Sequence, residues 1–234
     1  DYPCVRDNER DTLLEYVTLR PGMRVLDVQA AGGYLSDEVC RRLDRDVVNV
    51  CVEPNPELRG RLDPAYLAVD NPVEHFHDIA SDSIDVALGL IGLHHSQSHR
   101  ATFSETVRVL KPGGELAFCD VPEGSRLAAW LNEFVDAHCP AGHAGHFPAI
   151  GSLQAHCRTL GCEAVIEELR EVPWIFPQRE AIAVFFQGLF GLAVDTAVID
   201  EALADYFTLR EHHGQVLVDW QLVYCHAKKP RAQL

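Results

Sequence analysis

Asp27 ends an apolar run, Met23-Arg24-Val25-Leu26-Asp27-Val28, and the small residues Ala30-Ala31-Gly32-Gly33 follow it. A strand that runs into such a turn and then into a helix makes a nucleotide site. The backbone approaches the ligand closely, and the helix N-terminus offers free N–H groups. Glu53 closes a second apolar run roughly 20 residues past Gly33, where an acid reaches both ribose hydroxyls of an adenosine. His94 and His95 follow a further apolar run, Ile84 to Leu90. Histidine titrates near neutrality, so either could take a proton from a hydroxyl or an acidic carbon. A second histidine group, His138, Cys139, His143 and His146, falls in one short Gly/Pro-rich stretch. Its residue types suit zinc, but its spacing is irregular and no C-x-x-C pair backs it. The expectation is a loop facing the substrate, with no metal.

These residues need a scaffold of buried strands. Met23–Val28, Val47–Val52, Tyr66–Val69, Ile84–Leu90 and Glu115–Val121 read as strands. Asp7–Leu19, Tyr34–Leu43 and Ser98–Leu110 read as helices. Lys111-Pro112-Gly113-Gly114 reads as a turn. Continuous apolar strands alternating with helices indicate a parallel sheet covered on both faces. In the second half, Arg126–Ala137, Leu153–Leu160, Arg179–Phe190 and Ala197–Tyr206 are expected helices. Glu163–Val172 and Gln215–Ala227 are expected strands, the latter hairpinned to its neighbour. Trp174, Phe176, Phe185, Phe186 and Phe190 should be mostly core, with part walling an apolar pocket. No repeat or linker divides residues 1–234, so one domain is expected. Segments at about 123–160 and 173–210 should form the variable cap over a substrate.

Composition narrows the partners. A net charge of -15 disfavours nucleic acid and anionic membrane surfaces, which need clustered Lys and Arg. No apolar run approaches the roughly 18 residues of a membrane span. Asp1-Tyr2-Pro3-Cys4 shows no signal pattern, although a start without Met leaves room for a trimmed leader. Eight cysteines without a C-x-x-C pair point to a reducing, cytoplasmic setting. A small molecule is the expected partner, and the oligomeric state is open.

Four blocks in series carry a family resemblance: V-L-D-V-Q-A-A-G-G, V-C-V-E-P, S-I-D-V-A-L-G-L-I-G-L-H-H and V-L-K-P-G-G-E-L-A-F. Together they resemble the motif series of class I, Rossmann-like methyltransferases that use S-adenosylmethionine. The nearest type is the small-molecule group that includes the ubiquinone/menaquinone C-methyltransferases. The resemblance spans about Pro21 to Pro122. It implies a doubly wound α/β fold, with a mostly parallel seven-stranded sheet whose last strand is antiparallel and with helices on both faces. It implies methyl transfer to a small organic acceptor by in-line displacement. Asp27 and Gly33 would line the methionine end of the cofactor, and Glu53 the ribose. Asp70 would face the adenine amine with Asn71 beside it, and Asp78 is the rival for that role. Leu90 to His95 would border the methyl group, with His94 and His95 as the candidate catalytic pair.

The sequence departs from the family at the turn. The family commonly has G-x-G-x-G there, and this chain has Gln29, Ala31 and Gly33 in the glycine places. Residues with a Cβ should hold the backbone in a region they tolerate, with Gln29 along the cleft and obstructing it. Two other readings compete: a catalytically silent cofactor-binding protein of the same fold, and a nicotinamide-dependent oxidoreductase. The missing G-x-G-x-x-G and the K-P-G-G block stand against the second.

Overall fold

A computed structural model describes residues 4–231; Asp1, Tyr2 and Pro3 of the amino-terminal reading lie outside the described residues. The strands are β1 Met23–Val28, β2 Val47–Val52, β3 Leu67–Val69, β4 Ile84–Leu90, β5 Leu110–Asp120, β6 Glu163–Glu171, β7 Trp174–Phe176, β8 Leu209–His212, β9 Gln215–Val218 and β10 Gln221–Lys228. The main sheet runs β3-β2-β1-β4-β5-β10-β6. Strands β1 to β5 are parallel, and β10 runs antiparallel to both β5 and β6.

Successive residues of the central strands enter opposite cores. Val25, Leu88 and Ala117 fill one side, while Leu26, Ala87 and Leu116 fill the other. Both faces are therefore dry, which is why these strands read as near-continuous apolar runs rather than as alternation. Helices α1 Asp7–Glu15 and α2 Tyr34–Arg42 contribute Leu13, Leu14, Leu35 and Val39 to the first side. Helices α4 His99–Val109 and α7 Ser152–Thr159 contribute Phe103, Val109, Leu153 and Cys157 to the second. α2 begins at Gly33, whose φ of 93° suits glycine, and it carries Asp37 in its first turn and Arg41 and Arg42 in its last. These charges complement the helix dipole. A short α3, Pro56–Arg59, is capped by the Asn55 side chain.

The register sets the chemistry. Asp27 lies beside Cys51 on β2 and Leu88 on β4, so the ends of β1, β2 and β4 meet at one edge of the sheet. That carboxyl edge is where open α/β sheets bind ligands.

Several sequence expectations change. The run expected as one strand from Gln215 to Ala227 breaks at Asp219-Trp220. β9 joins a separate antiparallel sheet, β7-β9-β8, and only β10 enters the main one. Indole bulk accounts for the break: Trp220 stacks on Trp174 at 3.7 Å and on Phe207 at 5.8 Å, so the chain turns to bury it. The Lys111-Pro112-Gly113-Gly114 turn is taken up into β5 as an irregularity, with Gly113 at φ 82° and a register shift against β4. The helix from Asp7 stops at Glu15, before Leu19. The helix expected at Arg126–Ala137 is α5 Arg126–Ala129, a π-helical stretch Trp130–Val135, and α6 Asp136–His138. Helices α8 Glu180–Phe190 and α9 Thr196–Tyr206 match expectation to within a residue at their starts. Among the described residues no helix is long and apolar enough to cross a membrane.

Candidate active site

Asp27 is buried at the end of β1 and accepts a hydrogen bond from Ser36 Oγ of α2 at 2.7 Å. Burial pushes its carboxyl up to about 7 against the Ser36 bonds, and the nearby Glu53 and Asp37 charges push the same way. Glu53 is also buried. Its two oxygens accept the backbone N–H groups of Ala31, at 2.7 Å, and Asn55, at 2.8 Å. The acid at the end of β2 thus holds the turn after β1 in place.

That turn corrects the sequence expectation. Gln29 has φ 62° and Ala31 has φ 48°, both left-handed, so the backbone keeps a glycine-type shape although the glycines are gone. The expected shift to a Cβ-tolerant region does not occur. The Glu53 bond to Ala31, and the bond from Ala30 N–H to Val52 O at 3.0 Å, fix the turn more strongly than the side chains distort it. Gln29 reaches across to β4 and packs over Gly92, and its Oε1 is buried without a donor. Leu62 and Tyr66 cover Gly33, where a Cβ would meet Leu62 Cδ2 at 3.3 Å.

The adenine-side candidates behave differently from one another. Asp70 is largely exposed and pairs with Arg59 at 3.0 Å. Asn71 is fully buried. Its amide donates to Asp78 Oδ2 at 2.8 Å and its Oδ1 accepts from Asp78 N–H at 3.1 Å. Asn71 and the rival Asp78 are thus tied to each other, and Asp70 stands apart on the surface.

Leu90 ends β4. Ile91 follows at φ 48°, a strained setting for a β-branched residue that costs on the order of 1–3 kcal/mol. The reversal carries His94 and His95 into a tight turn, Leu93–His95. His94 donates from Nδ1 to Asp120 Oδ1 at 2.8 Å, and its backbone N–H donates to Asp120 Oδ2 at 2.9 Å. Asp120 is wholly buried at the end of β5. Burial alone would raise its carboxyl, but His94 and two backbone N–H groups outweigh that and hold it below the usual range. Asp120 accepts, so Nδ1 of His94 is the donor; in the neutral imidazole Nε2 then carries the lone pair. His95 lies 4.1 Å from His94, ring to ring, and His143 lies 5.3 Å from His94. Lost hydration on the inner side, with His94 and His143 beside it, lowers the His95 imidazole.

These histidines border a cavity of about 260 Å³ whose other walls include Ile91, Leu131, Trp174, Phe190 and Trp220. The aromatic stretch therefore divides as expected, with Phe176 and Phe186 in the core and Trp174 and Phe190 at the cavity. A larger depression of about 460 Å³, which meets this cavity at Trp220, holds none of the histidines and none of Asp27, Glu53 and Asp120. Of the loop group, His143 joins the cavity with Cys139, whereas His138 packs on Phe134. Asp120 was missed in the sequence, although it ends an apolar strand just as Asp27 and Glu53 do.

The methyltransferase domain family matches residues 6–167. The chain belongs to that family. The chain is 31% identical over 159 residues to the ubiquinone biosynthesis O-methyltransferase of Xanthomonas campestris pv. campestris, a match covering 62% of this chain and 66% of that relative. The aligned segment thus falls just short of two-thirds of the relative's length. The motif series pointed to the C-methyl type, whereas this relative carries the O-methyl name. The Bacillus subtilis YcgJ protein superposes with a TM-score of 0.70 at 16% identity, covering 97% of this chain and 100% of that one. A Haemonchus contortus phosphoethanolamine N-methyltransferase, solved with S-adenosylhomocysteine, gives 0.65 at 15% identity over 96% of this chain and 53% of that one. The fold is therefore the Rossmann-like one of S-adenosylmethionine-dependent methyltransferases, and a nicotinamide oxidoreductase falls away.

Among the chain's own residues, Glu53 fits that cofactor. Each Glu53 oxygen accepts only one N–H, which leaves lone pairs for hydroxyl donors. The Gln29 side chain lies over Gly92, just past the end of β4.

Proposed function

We propose that this methyltransferase moves the methyl group of S-adenosylmethionine to an oxygen of a small, largely apolar acceptor seated against His94. The observation that carries this reading is the buried Asp120–His94 pair facing an apolar cavity at the carboxyl edge of the sheet. Glu53 would hold the ribose, Asp27 and Gly33 would line the methionine end, and Asp70 would face the adenine. The acceptor oxygen gives its proton to Nε2 of His94, while Asp120 stabilises the imidazolium that forms. When bound, S-adenosylmethionine would supply an electrophilic methyl group to that oxygen and leave as S-adenosylhomocysteine. The sulfonium methyl is already electrophilic, so alignment and exclusion of water supply most of the rate. The O-methyl name of the relative supports an oxygen acceptor. The net charge of -15 supports a small molecule over nucleic acid, and eight free cysteines support a reducing, cytoplasmic setting.

The experiment is S-adenosylhomocysteine calorimetry joined to methyl transfer from labelled cofactor onto a panel of phenols, catechols and hydroxyquinols. Turnover with at least one acceptor is expected. His94→Ala should lower kcat by about 100-fold or more while leaving S-adenosylhomocysteine affinity unchanged. Tight cofactor binding with no turnover on any acceptor would favour the silent reading, which the altered turn at Gln29 and Ala31 keeps in view. Failure to bind the cofactor at all would remove both.

A further inference from the structure

His94, His95 and His143 meet at one point although the third comes from a distant loop. One ligand-capable nitrogen of each lies within 4.8 Å of the others. Two of the three rings are held by an oxygen at Nδ1. Asp120 accepts from Nδ1 of His94 at 2.8 Å, and Asn132 Oδ1 accepts from Nδ1 of His143 at 3.1 Å. The Asn132 amide cannot be turned over: its Nδ2 donates to Gly145 O at 2.9 Å and its Oδ1 accepts from Gly145 N–H at 2.8 Å. In the neutral rings both Nδ1 atoms therefore carry the proton, and both Nε2 atoms present lone pairs. Converging imidazole lone pairs repel unless a cation or a donor stands between them. Imidazoles braced by a carboxylate or amide oxygen are how metal-binding histidines are oriented and made more basic.

We propose that His94, His95 and His143 bind one divalent transition-metal ion of the zinc class, with Asp120 and Asn132 as bracing acceptors. Three neutral imidazoles suit zinc and its first-row neighbours rather than magnesium or calcium. Three protein ligands with one open position is the pattern of zinc sites that act on a substrate. The same three histidines border the apolar cavity, so the open position takes water or a hydroxyl oxygen of the acceptor. With the ion bound, Nε2 of His94 is a ligand and not the base that it is in the metal-free protein, and the acceptor's proton leaves to solvent from a hydroxyl that the ion has made more acidic. This last role rests on the methyl-transfer reading; the binding of the ion does not. The expectation of no metal weighed His138, Cys139, His143 and His146 as the ligand set, and only His143 of these belongs to the cluster.

The test uses protein purified without a His tag, stripped with chelator, then loaded with Zn²⁺ or Co²⁺ and measured by elemental analysis and dye competition. The expected result is one equivalent of Zn²⁺ and a cobalt visible spectrum of low-coordinate type. His143→Ala should weaken the ion at least tenfold, and Asn132→Leu by about tenfold through loss of the brace. Both variants should keep the parent's circular dichroism and S-adenosylhomocysteine affinity. Less than about a tenth of an equivalent in the loaded parent, far below the one ion such a site holds, would overturn the proposal. So would a folded His143→Ala protein that holds Zn²⁺ as the parent does. A parent that binds Zn²⁺ but not S-adenosylhomocysteine would sink the methyl-transfer reading and leave the metal site standing.

Discussion

Replacing Gln29 with glycine tests how the altered turn is held. Gln29 occupies a left-handed conformation, φ 62°, and its Oε1 is buried without a donor. Glycine relieves backbone strain of about 1 kcal/mol. It also removes a desolvated acceptor that costs at least about 1 kcal/mol. Against this, the unfolded chain gains freedom worth about 0.7 kcal/mol. The half-buried methylenes over Gly92 are lost, at about 0.8 kcal/mol. The net is a gain of about 0.5 kcal/mol, or 1–2 °C in Tm for a chain of this size. Ala31→Gly is the control, because Ala31 is exposed and left-handed, φ 48°, so only the backbone and chain-freedom terms change. Scanning calorimetry should find both variants at or slightly above the parent midpoint. Isothermal titration should find Gln29→Gly binding S-adenosylmethionine at least as tightly, since no side chain then stands over Gly92 beyond the end of β4. A loss of tenfold or more, about 1.4 kcal/mol, in the folded variant would refute this reasoning and make the Gln29 amide a cofactor ligand.

Glu53→Ala should cost about 2 kcal/mol of stability, because it strands the N–H groups of Ala31 and Asn55. It should also weaken S-adenosylhomocysteine at least tenfold, about 1.4 kcal/mol; unchanged affinity in calorimetry of the folded variant would remove Glu53 from the ribose. Asp27 keeps its proton in the fold up to about pH 7, whereas its unfolded carboxyl releases it near 3.8. Stability is therefore lost as pH rises through that window, by up to about 4 kcal/mol at 1.36 kcal/mol per unit. Asp27→Asn lacks this term, so its Tm relative to the parent should climb from pH 5 to pH 8, and a constant difference in thermal melts would contradict the assignment.

The first half of the fold was legible because its central strands are buried on both faces along most of their length. A short, mostly apolar run such as Ile84–Leu90 suits a strand covered on both sides. Asp27, Glu53, His94 and His95 could be placed from the same logic, since each lies at or shortly after the end of a strand. The second sheet was not legible. Its strands hold three or four residues, too few for a period to show, and tertiary packing of Trp174 against Trp220 decides them. The meeting of His143 with His94 and His95 was equally hidden, because it depends on Asn132 and on the His146 N–H bond to His94 O at 2.7 Å, contacts that join separate loops. The left-handed turn was misjudged for a related reason: local preference of Gln29 and Ala31 was weighed without the Glu53 carboxylate that overrides it.

The place of β10 between β5 and β6 has a consequence for how the chain assembles. In the finished sheet β6 pairs with β10 and with no other strand. During synthesis, β1 to β5 can form their parallel array early, but β5 then stays an open edge and β6 has nothing to pair with until Gln221–Lys228 has been made. Such a nascent state presents an unpaired strand edge, the kind of surface that seeks other chains. Ribosomal release before residue 221 should thus yield aggregating fragments rather than a trimmed enzyme. Chaperone dependence should fall sharply once that last strand slots in.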